Sequence, residues 1–293
     1  MISAPNSSLP ARRAGTALLE LLVAIPVLAI VGLAAVAVLL AAHRQARLND
    51  GRQGSARELR HGGLVMVWEL RPLQPTDLIA WSDTSIEFNS LVGSGVACDT
   101  RDGRRTVHML PSAGADPART AWITPPESND RVTLWLGAPT TNSTATRWDG
   151  VVRSVGASAA CASSLLRLEP GRAIRLALRD SLPRDLQDGS PVRVTRRVRY
   201  ALYRGADGFW YLGRRAFDGT AWDVAQPVVG PLLSAARGGV TITVTDSAST
   251  PLPTGATSAA GVSIRFRAPR AGMTPQRVDT SLTTVALRGR DDE

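Results

Sequence analysis

An apolar run opens at Thr16 and continues to Ala42 with one ionisable side chain, Glu20, inside it. At about 1.5 Å per residue a helix over 16–42 is roughly 40 Å long, which exceeds the roughly 30 Å hydrocarbon core of a bilayer. The pattern predicts a membrane-spanning helix. Beyond Ala42 the texture turns amphipathic: Leu48, Ser55, Leu59, Gly62 or Gly63, Met66 and Leu70 recur at three- and four-residue steps, with arginines on the other side. The helix is expected to continue over 43–72 as a stalk and to stop at Pro72. Gly51, Gly54, Gly62 and Gly63 each weaken it by about 1 kcal/mol relative to alanine, so the stalk is expected to need a body to pack on.

From Asp77 onward, short alternating runs are separated by Gly, Pro, Asp and Ser. Ser85–Leu91, Thr106–Leu110, Ala121–Ile123 and Arg131–Leu136 read as strands with one apolar face, and antiparallel pairing is the expectation. Val192, Val194, Val198, Tyr200 and Leu202 then alternate with polar residues. Gly205-Ala206-Asp207-Gly208 turns the chain into Phe209-Trp210-Tyr211-Leu212, a hairpin signature. Val240–Val244, Val262–Phe266 and Leu282–Leu287 add strands, and the Ser/Thr/Pro/Gly-rich stretch from Ser247 to Ala260 reads as a mobile loop.

The first run can be read more closely. An ionised carboxylate near mid-membrane costs on the order of 3 kcal/mol, so Glu20 calls for a partner. Arg12-Arg13-Ala14-Gly15, then Thr16, with Glu20 fifth from Thr16 and an unbroken apolar run behind it, resembles the type III signal of prepilins, precursors of type IV pili and type II secretion pseudopili. The resemblance implies that a prepilin peptidase cuts after Gly15, that Thr16 becomes the N-methylated new terminus, and that Glu20 is the charged assembly residue. Cleavage would create an α-ammonium that a neighbouring subunit's carboxylate can pair with in low dielectric. Thr16 stands where phenylalanine is most common in that family. Pro26, eleventh from Thr16, falls where pilin-like proteins of tight-adherence systems carry proline. Two plainer readings are a secretory signal cut at Ala35-Val36-Ala37, for which the apolar run is too long, and a simple anchor with an incidental glutamate.

The last third also resembles the larger minor subunits, the J-type pseudopilins and PilW-like minor pilins. The residues that carry this are Arg199-Tyr200-Ala201-Leu202-Tyr203, Gly208-Phe209-Trp210-Tyr211, Gln226-Pro227, Gly230-Pro231 and Leu287-Arg288. Together the two resemblances imply an α+β, pilin-like fold: a long N-terminal α-helix packed against an antiparallel β-sheet domain. Its parts are a leader over 1–15, a membrane and assembly helix over 16–42, a stalk over 43–72 and a β-rich periplasmic domain over 73–293. The implied partners are the prepilin peptidase, other major and minor pilins or pseudopilins, the inner-membrane platform with its ATPase, and the membrane before assembly.

Arginine placement pulls the other way on orientation. Arg12 and Arg13 precede the span, whereas Arg44, Arg47, Arg52, Arg57 and Arg60 follow it, which by the positive-inside rule favours a cytoplasmic body. The cleavage motif needs its glycine in the cytoplasm, and long domains translocate largely regardless of charge, so a periplasmic body is the expectation. In that compartment Cys98 and Cys161, the two cysteines of the chain, read most simply as a disulfide. Closing its loop of about sixty residues would contribute on the order of 4 kcal/mol.

Charge and candidate chemistry change this picture little. The net charge of +9 falls to +7 when Arg12 and Arg13 leave with the leader. All 34 basic residues are arginine, which reads as codon bias more than as a nucleic-acid footprint. No Gly-x-Ser-x-Gly elbow, His-Glu-x-x-His or phosphate loop is present. No cofactor or catalytic group is expected. His43 and His61 lie in the stalk, which leaves His108 as the one histidine of the body and a structural residue on its strand. Asp180, Asp185 and Asp188 cluster where oxygen ligands could converge on calcium, a solvated turn being the plainer reading. Trp81, Trp122, Trp135, Trp148, Trp210 and Trp222 read as core residues more than as a stacking platform. A nucleic-acid-binding subunit of a DNA-uptake system and a membrane-tethered hydrolase are the alternative classes.

Overall fold

The computed structural model describes residues 14–99, 104–109, 121–136, 146–158, 173–184, 186–269 and 278–287. One continuous α-helix, α1 (Ala14–Leu70), passes through Pro26 without ending. Residues 20–46 of it are exposed throughout, with no described residue of the body packed on them. Over its last turns the same helix lies on the body, with Leu59, Met66 and Leu70 buried. Gly62 and Gly63 are buried as well, and they are what lets the helix come this close. A Cβ on Gly62 would fall 1.8 Å from Val229 Cγ2, and one on Gly63 would fall 2.7 Å from Thr283 Oγ1. After Leu70, Pro72 stops the helix, and Gln74 with Asp77 closes a capping box on the short 3-10 turn Pro75–Asp77.

Thirteen strands follow among the described residues. They are β1 (Leu78–Ser82), β2 (Ser85–Asp99), β3 (Thr106–Met109), β4 (Ala121–Trp122), β5 (Arg131–Leu136), β6 (Thr146–Ser158), β7 (Ala173–Leu178), β8 (Pro191–Arg204), β9 (Trp210–Ala216), β10 (Gln226–Leu232), β11 (Val240–Thr245), β12 (Gly261–Pro269) and β13 (Val278–Ala286). Every pairing is antiparallel. Strands β2, β3, β7, β6, β5 and β8 pair in that cyclic order, and β8 returns to β2, so six strands close a barrel. Its interior is filled by its own side chains, among them Val92, Val107, Met109, Val132, Leu134, Val152, Leu176, Leu178, Val192 and Val194.

The long strands β2 and β8 belong to two units. They pair along nearly their whole length, while the other edge of β8 changes partner, bonding β5 at 192–195 and β9 at 198–204. A bulge between Leu91 and Gly93 of β2 falls at the same level. Beyond it, β1, β9 and β10 extend an open sheet, and β11, β12 and β13 form a separate three-stranded sheet. The foot of α1 packs with these into a second core around Phe88, Tyr200, Val229, Ile264 and Phe266.

The α+β, pilin-like expectation is therefore corrected. Strands make up 49% of the chain and a closed six-stranded antiparallel barrel dominates the body, where the expected fold is a long helix on a small sheet. The physical reason lies in strand length and edges. A ladder as long as that of β2 and β8 can end one sheet and begin another, and closure satisfies the edge hydrogen bonds that an open sheet leaves bare. Ser247 to Ala260 also differs from a mobile loop. Asp246 Oδ1 accepts from the N–H groups of Ala248 and Thr250, and the Leu252 carbonyl accepts from Trp81 Nε1 at 3.2 Å, which pins the segment to β1.

Candidate membrane and assembly segment

The span Glu20–Ala46, with a mean hydropathy of 2.9 and none of its surface buried, is long and apolar enough to cross a membrane. Leu21, Leu22, Ile25, Leu28, Ile30 and Leu33 are all exposed around it, the apolar surface of a candidate membrane anchor or signal sequence. Gly15 and Thr16 lie in the first turn of α1. Glu20 is exposed one turn further on and makes no hydrogen bond or ion pair among the described residues.

Several arginines of β8 and β9 make internal ion pairs. Arg193 reaches Asp77 Oδ2 at 2.8 Å and also donates to the Pro72 carbonyl, so it clasps the chain where the helix ends. Arg196 binds Asp130 and Glu127, Arg197 and Arg199 flank the buried Glu87, and Arg214 donates to Glu69 Oε1 on α1 at 2.9 Å. Composition alone reads these residues as codon bias. In the fold they are clamps between β8 or β9 and four other segments. Tyr200, buried beside Glu69 and Arg214, has its phenol pushed far above its ordinary range by burial, with the Glu69 charge adding to the shift.

The remaining sequence-predicted sites separate from one another. Cys98 is buried and disulfide-bonded, and Cys161 lies outside the described residues. Asp180 and Asp188 are exposed, Asp185 lies outside the described residues, and no group of three metal-capable side chains converges among the described residues. Arg288 also lies outside them. His43 and His61 are exposed on α1, whereas His108 is buried on β3 with Nδ1 2.6 Å from Ser158 Oγ. At 2% and 9% exposure both residues of this pair are buried. Trp81 is core; Trp122, Trp135, Trp148, Trp210 and Trp222 are half-buried.

One feature escapes the sequence reading. Trp68 is 77% exposed, with Leu64 and Ile123 also bare beside it, which makes an apolar patch at the foot of the stalk. The signal was present in the heptad positions, since Leu64 and Trp68 are four residues apart on the side of α1 away from Leu59, Met66 and Leu70. No family model, no curated protein and no solved structure matches this chain.

Proposed function

We propose that this chain is a minor pilin or pseudopilin subunit in function: a membrane-inserted protein, processed by a prepilin peptidase, that enters and primes or caps a type IV pilus or type II secretion pseudopilus. The observation that carries the proposal is the arrangement of Gly15, Thr16 and Glu20 at the head of an apolar helix that the body leaves bare from residue 20 to residue 46. Such a helix suits two successive environments, lipid before assembly and the helices of neighbouring subunits afterwards. In the second, Glu20 pairs with the α-ammonium of an adjoining Thr16 and each offsets the burial of the other.

In this proposal the first residues face the cytoplasm, the helix crosses the inner membrane and the β-rich body lies in the periplasm, where the disulfide at Cys98 persists. Partners are the peptidase, sister pilins or pseudopilins and the inner-membrane platform with its ATPase. The activity is assembly, with no catalytic step and no cofactor. The barrel body sets this subunit apart from a pilin-like fold, and the proposal concerns its processing and assembly. Mass spectrometry of the mature amino terminus tests it. The expected chain begins at N-methylated Thr16, and a chain beginning at Met1 or after Ala37 would refute the proposal.

A further inference from the structure

A half-open cleft of about 330 Å³ lies on the outside of the barrel, between the β5–β6 hairpin and the loop Phe217–Gly219. Three guanidinium groups line it: Arg131 from the start of β5, Arg179 from just beyond β7 and Arg197 from β8. Their commitments differ. Arg197 donates to Glu87 Oε1 and lies 5.1 Å over the Phe217 ring, so it is held in place and largely neutralised. Arg179 donates through Nη2 to Asn129 Oδ1. Arg131 is exposed and has no hydrogen bond or ion pair among the described residues, and its charge helps to lower the Asp149 carboxyl across the cleft.

Two carboxylates also face the cleft, and they too differ. Asp149 is engaged: Thr133 Oγ1 donates to it at 2.6 Å and Arg147 grips both its oxygens. Burial pushes its carboxyl up, but these donors outweigh that and hold it below the ordinary carboxylate range. Asp180, at the rim, has no partner among the described residues. After these pairings the cleft offers two guanidinium groups with donors to spare, one free acceptor and an aromatic wall.

The cleft is also preorganised. Asn129 holds a left-handed backbone, φ 72°, and its side chain joins two walls, accepting from Arg179 and donating to the Asp218 carbonyl. Gly219, at φ 97°, leaves the room this needs, because a Cβ there would fall 2.5 Å from Asn129 Cγ. Asp218 Oδ1 accepts from the N–H groups of Thr220 and Ala221 and from Thr220 Oγ1, which fixes the loop. Trp148 lies across Gly150 on the barrel side of β6, where a Cβ would meet the indole at 2.2 Å, and so backs the strand that carries Asp149. A site held open in this way has little ordering left to lose when a ligand enters.

We infer that this cleft binds a carboxylate-bearing sugar, a uronic-acid unit of an acidic polysaccharide. A planar carboxylate matches the guanidinium forks of Arg131 and Arg179. The free Asp180 carboxylate accepts from ring hydroxyls, and Phe217 offers an apolar wall to the ring face. A uronate and a phosphodiester meet the same Asp180 charge, but an internal deoxynucleotide has no sugar hydroxyl to donate to it, so DNA fits less well. The volume lies at the lower end of ligand-sized clefts, which run from about 300 to about 1,000 Å³. This inference does not depend on the assembly proposal.

The test is calorimetric titration of the full chain in neutral detergent micelles with tetragalacturonic acid. Neutral galactotetraose and a mixed-sequence single-stranded oligonucleotide serve as the comparison ligands. The expected result is binding of the uronate alone, weakened at least tenfold in Arg131→Ala and unaltered in Arg153→Ala, an exposed arginine on β6 that does not line the cleft. Arg131→Ala is expected to keep its thermal midpoint. Absence of uronate binding, equal binding of the oligonucleotide, or equal weakening by both arginine variants would each overturn the inference.

Discussion

Arg196 grips Asp130 with both arms of its guanidinium, Nε to Oδ1 at 2.7 Å and Nη2 to Oδ2 at 2.9 Å, and the carboxylate it holds is 2% exposed. The pair sits where β8 leaves β5 and takes up β9. Along β8, Arg196 shares the parity of Val194 and Val198, of which the first belongs to the barrel core and the second to the core under α1. A polar seam thus divides two apolar cores that share one strand. Asp130 Oδ2 also accepts from the Glu127 N–H at 2.7 Å, so the carboxylate fixes the turn that starts β5.

Breaking this pair from one side leaves a buried charge. Arg196→Met is expected to destabilise the protein by about 3–5 kcal/mol, the range for removing one partner of a buried pair. Adding Asp130→Asn should recover part of the loss, because no buried charge then remains. Urea denaturation of the full chain in micelles, followed by tryptophan fluorescence, reads both variants. A loss below about 0.5 kcal/mol for Arg196→Met, the level of an ordinary surface change, would show that the seam is not a structural joint.

Glycines on α1 divide by what faces them. Gly54→Ala, with nothing within 4 Å of the new Cβ, is expected to stabilise by about 0.5–1 kcal/mol through helix propensity alone. Gly62→Ala gains the same propensity but drives its Cβ into Val229. Overpacking of this kind costs about 1–3 kcal/mol, so the net effect should be destabilising. Opposite shifts in the urea midpoint are the expected reading, and two shifts of the same sign would remove the close-approach account of Gly62.

Glu20 is the residue on which assembly rests in the proposed function. Glu20→Gln should insert into membranes as well as the parent chain, since it lowers the cost of burying that position. Its recovery in sheared filaments should fall at least tenfold. Equal recovery of variant and parent, measured by immunoblot against equal membrane levels, would end the case for an intersubunit ion pair.

Acid should weaken the body through a small set of carboxylates. Asp149 is held below the ordinary carboxylate value of 3.8 as described, and so are Asp207, chiefly by the Tyr211 hydroxyl, and Asp218, chiefly by the Ala221 N–H. A carboxyl with a lower pKa in the folded state than in the unfolded state binds protons more readily when unfolded. Its contribution is therefore complete above about pH 4 and fades as the pH falls through the folded value. Urea midpoints from about pH 6 down to about pH 3 should decline, and Asp149→Asn should decline less steeply than the parent. An identical slope in the variant would count against any role for Asp149.

Local patterns in this chain are read by local rules, and the elements they define are present. The apolar run from Thr16, the stop at Pro72, and the alternation of Val192 to Leu202 with its Gly205–Gly208 turn each depend on neighbours within a few residues. Strands β6 and β7 are not picked out from sequence, although without them the barrel cannot close. The inward positions of β6 include Gly150 and Ser158, small residues that blur the alternation on which a strand is recognised. Trp148 replaces the missing side chain by lying over Gly150, a contact that only the folded strand reveals.

By itself the sequence determined a bare apolar helix led by Gly15, Thr16 and Glu20, an amphipathic foot, and a body of antiparallel strands, because hydrophobic periodicity and helix breakers act over a turn or two of chain. The tertiary structure alone decided that β8 would serve two cores, that Gly62 is a contact and not merely a weakness, and that Arg131, Arg179 and Phe217 would share one cleft. These follow from pairing register and packing between residues tens of positions apart. Periodicity says which face of a strand is buried; it carries no information on which strand lies beside it.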